Sequence, residues 1–352
     1  MRVGSGSSFD NALDAFRSGR FEVARRILLE AVSSDTHPKW FALLASTEAR
    51  LQNWDGAIEQ LRSAIRLSDK RNLQWSRQMA AYLMKAGRHA DAHAVLTSLV
   101  YRGEDIDKDR GLLAQLHFMR CEWSLALDLI DSTSWPDDVV PLHLRAMAAE
   151  CRSRLAGPDD AGERTSRQLS SAYYDVVYSG SAEYAADSED SIYAPVWSTI
   201  VERIEPSSVV LDIGCGPGQF AAFLHARRPS VLYTGIDFSA TAIAQARSRC
   251  SAVSFVQADI FDPKSLDGIG YDTVVATEFL EHVDDDLGVL SRLRSGAAFI
   301  GSVPNFDSIS HVRYFSSEIE VLARYRDVVE DLAVKLEPCG RNALFVMTGR
   351  IA

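Results

Sequence analysis

The sequence predicts two architectures in one chain, an all-helical N-terminal region followed by an α/β domain built on a mostly parallel sheet. Two observations predict the α/β domain: residues 209–213 form an apolar run that enters a glycine-rich loop, and the next two apolar runs each end in an aspartate. A third observation predicts the helical region, because four similar segments recur every 33 to 35 residues.

The composition is that of an ordinary soluble protein long enough for two domains, with 352 residues, 47% hydrophobic and 24% charged. No apolar run reaches the roughly 18 residues of a membrane-spanning helix. Residues 1–10 lack the apolar core of a secretory signal. The five cysteines are scattered and form no C-x-x-C pair, which favours reduced thiols. These features predict a cytoplasmic protein with no membrane partner.

The charge is unevenly distributed along the chain. Residues 1–155 hold 21 Lys and Arg against 20 Asp and Glu, and residues 156–352 hold 16 against 28, which gives net charges of +1 and −12. Binding to a nucleic-acid backbone depends on Lys and Arg that neutralise phosphates. The acidic second half therefore disfavours nucleic acid as a substrate and favours a small molecule.

The loop after the first apolar run reads Asp-Ile-Gly-Cys-Gly-Pro-Gly, residues 212–218. Glycines at alternate positions allow a tight turn and let the backbone come close to a ligand. A helix at 219–226 would point its N-terminal N–H groups at that ligand. The spacing is not the G-x-G-x-x-G of dinucleotide sites, and no Lys-Ser or Lys-Thr pair completes a phosphate loop. The pattern predicts the first unit of a nucleotide-binding sheet.

This segment closely resembles the first motif of class I S-adenosylmethionine-dependent methyltransferases, and further motifs follow in the same order. The resemblance covers the domain predicted at 191–352 and implies a Rossmann-like seven-stranded sheet with S-adenosylmethionine as cofactor. The antiparallel seventh strand is expected within a hairpin of residues 332–336 and 343–348. The resemblance implies cofactor contacts at Asp212, Gly214, Cys215, Gly216, Gly218 and Glu278.

The second and third strands each end in an acidic residue. Residues 232–237 end in Asp237, and an acid at that position of such a sheet accepts hydrogen bonds from ribose hydroxyls. Phe238 follows and is placed to lie against an adenine face. For the third strand, within 253–260, the family resemblance implies contacts from Asp259 and Ile260 to adenine.

Three strand ends thus carry carboxylates, and we expect Asp212, Asp237 and Asp259 to line one edge of the sheet. The carboxyl ends of parallel strands are where open α/β sheets bind ligands. Acids there suit a cofactor with an ammonium and a sulfonium, and they do not suit a dinucleotide with its phosphates.

The fourth strand, residues 271–277, leads into Glu278-Phe-Leu-Glu281-His282. The spacing places Glu278, Glu281 and His282 on one face of a helical turn, and His311 follows the fifth strand at 297–303. This constellation resembles two related groups, the ubiquinone-biosynthesis O-methyltransferases and the small-RNA 3′-terminal ribose methyltransferases. The resemblance implies that the two glutamates and two histidines hold a divalent cation, Mg²⁺ or Mn²⁺.

A hydroxyl acceptor would explain why glutamates and histidines are found at this position. A sulfonium donor needs only positioning, whereas the hydroxyl must lose its proton to a base or to a metal that lowers its pKa. His282 is therefore the predicted catalytic residue, as base or as metal ligand. The alternative is that His282 belongs to the Leu-Glu-His-Val sequence common in metal-free methyltransferases, where it packs at the strand end or acts as base alone.

The N-terminal region, residues 1–155, carries four segments that each close on an alanine: Ala24, Ala57, Ala92 and Ala126. The inter-helix position is glycine at Gly19 and Gly87 and becomes Asn53 and Cys121 in the other two segments. Small residues where helices cross and a period near 34 residues resemble the tetratricopeptide repeat. The region is expected either to bind a peptide, a protein partner or a second copy of the chain, or to act as a helical scaffold.

Residues 156–190 are expected to form a linker and a tyrosine-rich helix around 173–178. Related methyltransferases use such a helix as a lid over the cofactor, and packing of the tyrosines against the sheet is the equal alternative. The combined prediction is a cytoplasmic methyltransferase that acts on a hydroxyl of a small metabolite, a sugar or a phenol. The alternatives are an RNA 3′-terminal ribose methyltransferase, and a repeat-mediated protein-binding module that methylates its partner or is inactive.

Overall fold

The computed structural model describes residues 5–34, 37–68, 72–157 and 166–352. Two compact units divide between Val140 and Pro141. Part of the predicted linker, residues 158–165, lies outside the described residues, as do residues 1–4 at the N-terminus. Within the described ranges, no helix is both long enough and apolar enough to cross a membrane.

The N-terminal unit is built from helices joined by short turns, and each helix packs against the next in sequence. The four alanines that close the repeated segments are fully buried, so their small side chains let neighbouring helices approach. The helices of this unit are α1 Ser5–Arg17, α2 Phe21–Val32, α3 Pro38–Arg50, α4 Trp54–Leu67, α5 Leu73–Lys85, α6 His89–Arg102, α7 Ile106–Met119 and α8 Trp123–Asp131.

The turns inside the four helix pairs share one backbone feature, a residue with positive φ five positions before the closing alanine. In the second pair this residue is Gln52, with φ of 59°, and the predicted Asn53 is instead the N-cap of α4, where its side chain accepts a hydrogen bond from Gly56 N. The inter-helix position was therefore misplaced by one residue, because asparagine suits both a left-handed turn and a cap. The other three are Gly19, Gly87 and Cys121.

The second unit begins with helix α9, Leu142–Ala156, which packs on α10, Ser171–Gly180. The division at Val140 thus precedes α9, whereas the boundary expected from the sequence follows it at 155. The reason is that α9 packs on the tyrosine-rich helix of its own unit, and the helical periodicity of the sequence does not reveal this contact. Two further helices precede the sheet, α11 Ala182–Ala185 and α12 Ala194–Glu202.

The predicted seven-stranded sheet is confirmed, with strand order β3-β2-β1-β4-β5-β7-β6. Strands β1 to β5 pair in parallel and β7 pairs antiparallel with β5 and β6. The strands are β1 Val209–Ile213, β2 Leu232–Asp237, β3 Ser254–Gln257, β4 Thr273–Thr277, β5 Ala298–Pro304, β6 Val329–Cys339 and β7 Asn342–Ile351.

Helices cover both faces of the sheet, as its apolar strands require. One core cluster joins α12, α13 (Gln219–Arg227) and α14 (Ala240–Arg249) to one face, and a second joins α15 (Asp286–Ser291) and α16 (Glu318–Tyr325) to the other. Successive residues of a strand alternate between the two clusters: Val210 lies in the first, and Leu211 and Ile213 lie in the second.

Candidate active site

The glycine loop between β1 and α13 is left-handed at every glycine. A Cβ at Gly218 would lie 2.9 Å from the Cα of Ala246, so only glycine lets α13 and α14 approach at this point. The N–H groups of Gly214 and Cys215 both donate to the carbonyl of Ile236, at 2.9 and 3.0 Å, which ties the loop to β2. The φ angles are 72° at Gly214, 50° at Gly216 and 75° at Gly218.

Asp237 lies at the end of β2 beside this loop and lines the cavity described below. Its Oδ2 accepts a hydrogen bond from Gly216 N at 3.0 Å, and its Oδ1 accepts one from Ser239 N at 2.8 Å. Burial raises the pKa of Asp237 to about 6, and the two backbone hydrogen bonds oppose that rise. The carboxylate is therefore held in a fixed orientation by the loop it supports.

Asp212 lies below the cavity wall, because β1 pairs it with Gly235, two residues before Asp237. Its Oδ2 accepts a hydrogen bond from the Tyr233 hydroxyl, and its Oδ1 is buried without a hydrogen-bond partner. Burial raises the pKa of Asp212 to about 7. The structure therefore does not place three carboxylates along one ligand edge, because Asp212 lies two residues below the level of Asp237, while Ile213, one residue further along β1, lines the cavity.

A partly open cavity of about 250 Å³ lies at the carboxyl ends of the parallel strands. Nine of its lining side chains are tyrosine or phenylalanine, so aromatic rings form a large part of its wall. Of the residues predicted to contact the cofactor, Asp212, Cys215, Gly216 and Gly218 do not line it. Those that do are Gly214, Asp237, Phe238, Asp259, Ile260 and Glu278.

Helix α10 covers this cavity with its tyrosines. The Tyr174 ring lies edge-on to His282 with centroids 5.9 Å apart, and it also contacts Phe238 and Tyr178, at 5.6 and 6.0 Å. The Tyr174 hydroxyl is buried and makes no hydrogen bond within the described part of the chain. A buried hydroxyl without a partner is costly, so Tyr174 has an unused hydrogen-bonding group at the cavity. The sequence indicated this helix but not this residue.

One aspartate fastens α10 to the start of α14. Asp175 Oδ1 accepts hydrogen bonds from the Ser239 hydroxyl at 2.5 Å and from Thr241 N at 3.2 Å. The Ser239 hydroxyl also accepts from Ala242 N at 3.0 Å as the N-cap of α14. Ser239 therefore links the covering helix to Asp237 in the cavity wall.

Glu278 departs from the predicted helical turn. Its φ is 50°, its N–H donates to the Ser302 hydroxyl at 3.1 Å, and its Oε1 accepts from the same hydroxyl at 3.0 Å. Only Leu280–His282 forms a short 3-10 helix. Glu278 therefore does not share a face with Glu281 and His282, because the left-handed residue turns the chain before the helix starts.

The structure does bring together the other three residues of the predicted metal set. Ligand atoms of Glu281, His282 and His311 all lie within 4.8 Å of one another. Both histidines line the cavity, and their ring centroids are 5.0 Å apart. The Nδ1 of His282 bonds the carbonyl of Ser310 at 2.9 Å, and that of His311 bonds the carbonyl of Phe306 at 3.1 Å. Each Nδ1 therefore carries a proton, and the Nε2 of a neutral ring in this orientation has the lone pair.

Glu281 gives this cluster its unusual electrostatics. Both of its carboxyl oxygens are buried without a hydrogen-bond partner within the described residues, and Oε1 lies 3.7 Å from His282 Nε2. Burial, and then the neighbouring Glu278, raise the pKa of Glu281 well above its usual range, and burial lowers that of His282 to about 4. An unpartnered carboxyl beside two imidazoles held by backbone carbonyls fits the donor set of a divalent cation.

Arg313 holds the segment that carries this cluster. Its guanidinium donates to the carbonyls of Leu280 and Val283, both at 2.5 Å, and of Asp284 at 2.8 Å. The buried carboxylate of Asp286 lies 3.3 Å from the same guanidinium. The sequence-based prediction missed Arg313, because its contacts are with backbone carbonyls about thirty positions earlier.

Residues 211–298 match the family described as a methyltransferase domain. This match lies within the seven-stranded sheet and includes the glycine loop, so the C-terminal unit contains a segment similar to methyltransferase domains.

Similar proteins include a trans-aconitate 2-methyltransferase of Paracidovorax citrulli, 33% identical over 135 residues, which are 37% of this chain and 51% of the relative. A trans-aconitate 2-methyltransferase of Escherichia fergusonii is 38% identical over 94 residues, 26% of this chain and 36% of the relative. The chain thus spans about half or less of the length of these relatives.

Among solved structures, a 1,6-didemethyltoxoflavin-N1-methyltransferase of Burkholderia thailandensis with bound S-adenosylhomocysteine is similar, at 19% identity and a TM-score of 0.44. The similarity covers 56% of this chain and 92% of that one.

Proposed function

We propose that the protein is an S-adenosylmethionine-dependent methyltransferase that methylates a hydroxyl of a small metabolite, such as a sugar or a phenol. The observation that carries this proposal is the position of Asp237 and His282 on one cavity rich in aromatic rings beside the glycine loop. Similar proteins named for a small acceptor, trans-aconitate, support the small-molecule class.

In this proposal the cofactor lies at the end of the cavity lined by Gly214 and Asp237. The carboxylate of Asp237 accepts hydrogen bonds from the ribose hydroxyls through lone pairs that Gly216 and Ser239 do not use. The ring of Phe238 lies against adenine, and Asp259 receives the adenine amino group. The glycine loop contributes through its tight turn and its backbone, because Cys215, Gly216 and Gly218 do not line the cavity.

Methyl transfer is a direct displacement. The acceptor oxygen attacks the methyl carbon, the carbon–sulfur bond breaks, and its electron pair stays on sulfur as S-adenosylhomocysteine forms. His282 Nε2 takes the hydroxyl proton, because its Nδ1 proton is already engaged by Ser310. The imidazolium so formed lies 3.7 Å from Glu281 Oε1, which stabilises it once that carboxyl is ionised.

A divalent cation is the second form of this proposal. Glu281, His282 and His311 would hold it, and it would supply a Lewis acid that lowers the pKa of the acceptor hydroxyl. Two imidazoles and one carboxylate suit Mn²⁺ better than Mg²⁺, because Mg²⁺ prefers oxygen ligands. Glu278 is left out of the set, because Ser302 already holds its side chain.

The helical unit is proposed to be a tetratricopeptide-like domain that binds a protein partner, a peptide or a second copy of the chain. Its four buried closing alanines and the recurrent positive φ at its turns support that reading. A cytoplasmic location stays a prediction from the sequence.

The deciding experiment is a calorimetric titration of S-adenosylhomocysteine into the full chain treated with a chelator, followed by the same titration with Mn²⁺. We expect saturable binding in both cases. The absence of binding would mean that the glycine loop has lost its ligand, and the methyltransferase proposal would fail. Tritiated methyl transfer from S-adenosylmethionine to hydroxylated metabolites then tests the reaction.

A further inference from the structure

The cavity described above has no cationic side chain. Its polar lining consists of carboxylates, phenols, serines, imidazoles and one amide, and among the residues that the structure describes no lysine or arginine lines it. The lining carboxylates are Asp237, Asp259 and Glu278. The wall therefore offers anions and aromatic rings to whatever enters.

Three arginines approach this wall from behind, but none reaches into it. Arg249 donates to the carbonyls of Pro217 and Tyr184 at 2.5 and 2.6 Å. Arg292 donates to the carbonyls of Ile260 and Phe261 at 2.6 and 3.2 Å.

The third, Arg313, holds the carbonyls of the segment 280–284 and contacts Asp286. All three guanidinium groups are used by the backbone that forms the wall. None could turn to meet an anionic substrate without releasing that backbone.

The rings in the cavity form a continuous path from one end to the other. Tyr178 contacts Tyr174, Tyr174 contacts His282, and His282 contacts His311 at 5.0 Å. Phe306 continues the path, with its ring centroid 5.4 Å from that of His311. The end beyond His282, lined by Phe306, Ser308, Ser310 and His311, is the histidine end of the cavity.

From this lining, and resting on the proposed function, we infer that the acceptor is an uncharged or cationic molecule with an aromatic or apolar face. It enters the histidine end, and polycarboxylates such as trans-aconitate are excluded from the metal-free cavity. A buried carboxylate without a cationic partner is strongly disfavoured, whereas flat rings and cations are attracted by aromatic faces. S-adenosylmethionine is compatible with this wall, because the ammonium and the sulfonium of the cofactor compensate the charge of its single carboxylate.

Three catechols with nearly the same skeleton and different charge provide the test: hydroxytyrosol is neutral, dopamine is cationic, and dihydroxyphenylacetate is anionic. The readouts are tritiated methyl transfer by the full chain, with and without Mn²⁺, and calorimetric binding to protein loaded with S-adenosylhomocysteine. We expect kcat/KM for the anion to be ~100-fold below that of hydroxytyrosol, with trans-aconitate inactive.

A gain-of-function variant makes the test independent of any one substrate. Ser308→Arg places a guanidinium at the histidine end and should shift the ratio of anion to neutral probe by at least ~10-fold toward the anion. Ser291→Arg is the matched control, because Ser291 is exposed on α15 and lies outside the cavity. It adds the same charge and should leave the ratio unchanged.

The outcomes separate this inference from the function on which it rests. Equal use of dihydroxyphenylacetate and hydroxytyrosol by the native chain, or turnover of trans-aconitate, would overturn the charge selection. Failure of all three catechols to bind protein that does bind S-adenosylhomocysteine would overturn the aromatic acceptor and leave the cofactor proposal standing. Failure of S-adenosylhomocysteine itself to bind would refute the proposed function.

Discussion

The two ends of the cavity differ in how completely the protein satisfies their polar groups. At the glycine-loop end, both oxygens of Asp237 accept backbone hydrogen bonds, and the N–H groups of Gly214 and Cys215 donate to Ile236. Beside His282, where the histidine end begins, both oxygens of Glu281 and the hydroxyl of Tyr174 are buried without hydrogen-bond partners in the described structure.

This difference indicates a division of labour. The glycine-loop end is organised before any ligand arrives, which lowers the entropic cost of binding there. The histidine end holds polar groups whose burial is costly until something bonds to them. We therefore expect changes at the first end to alter affinity, and changes at the second to alter turnover while affecting the stability of the ligand-free protein little.

The largest expected effect is that of His282→Ala on turnover. Removal of a positioned base should lower kcat by ~10²- to 10⁴-fold, while the affinity for S-adenosylhomocysteine stays unchanged because Asp237 and the loop remain. The measurements are methyl transfer under saturating substrate and calorimetry on the same preparation. Normal turnover would remove His282 from the mechanism. Lost cofactor affinity would contradict the separation of the two ends.

The next effect concerns Asp212, the one unsatisfied carboxyl behind the glycine-loop end. Its native pKa of about 7 exceeds its ordinary 3.8, so the native state keeps a proton that the unfolded chain loses. The free energy of unfolding is therefore highest below pH ~4, where Asp212 is protonated in both states. It falls by on the order of 3 to 4 kcal/mol as the pH rises from ~4 to ~7. Asp212→Asn should flatten this fall in denaturant unfolding measured from pH 4 to pH 8, and an unaltered slope would argue against a buried neutral Asp212.

Asp237→Ala should weaken binding of S-adenosylhomocysteine by ~10- to 100-fold, because hydrogen bonds to a charged group are lost. Asp267→Ala is the control, since this exposed aspartate lies in the loop before β4 and outside the cavity. Calorimetric titration measures both variants, and circular dichroism checks that both are folded. Equal affinities would show that Asp237 supports the loop without contacting the ribose.

The smallest expected effect is that of Tyr174→Phe, which removes a hydroxyl that has no partner in the ligand-free protein. The free energy of unfolding without ligand should stay within ~1 kcal/mol of the native value. The rate of methyl transfer should fall by a few-fold, because a ligand loses one hydrogen bond. A large loss of stability in the ligand-free state would show that the hydroxyl is bonded after all.

The sequence was sufficient where local pattern and three-dimensional position coincide. Alternate glycines predicted the left-handed loop, and the acid at the end of β2 predicted the place of Asp237. The two histidines were expected together, although 29 positions separate them in the chain. Each rests on a strand end, and strand ends of a parallel sheet converge on one edge.

The sequence-based prediction failed where the position of a site residue depends on strand register, on one backbone torsion angle or on a long-range contact. Asp212 lies on the same face of the sheet as Asp237, yet β1 pairs it with Gly235, two residues before Asp237, and this register keeps it below the edge where the cavity lies. A single positive φ at Glu278 removes it from the turn that carries Glu281. Arg313 acts on backbone carbonyls about thirty positions earlier, and no periodicity in a sequence reports such a long-range contact.

Ser239 makes two contacts that together affect how fast a ligand binds and leaves. Its N–H holds Asp237 in the cavity wall, while its hydroxyl holds Asp175 on the helix above. We expect a molecule bound beneath α10 to leave faster when that helix moves away, and such movement breaks the bond between Asp175 and Ser239, two residues after Asp237. Weakening Asp175 should therefore shorten the dwell time of bound S-adenosylhomocysteine, raising its rates of arrival and departure together. Stopped-flow exchange would register this change even where the equilibrium affinity hardly moves.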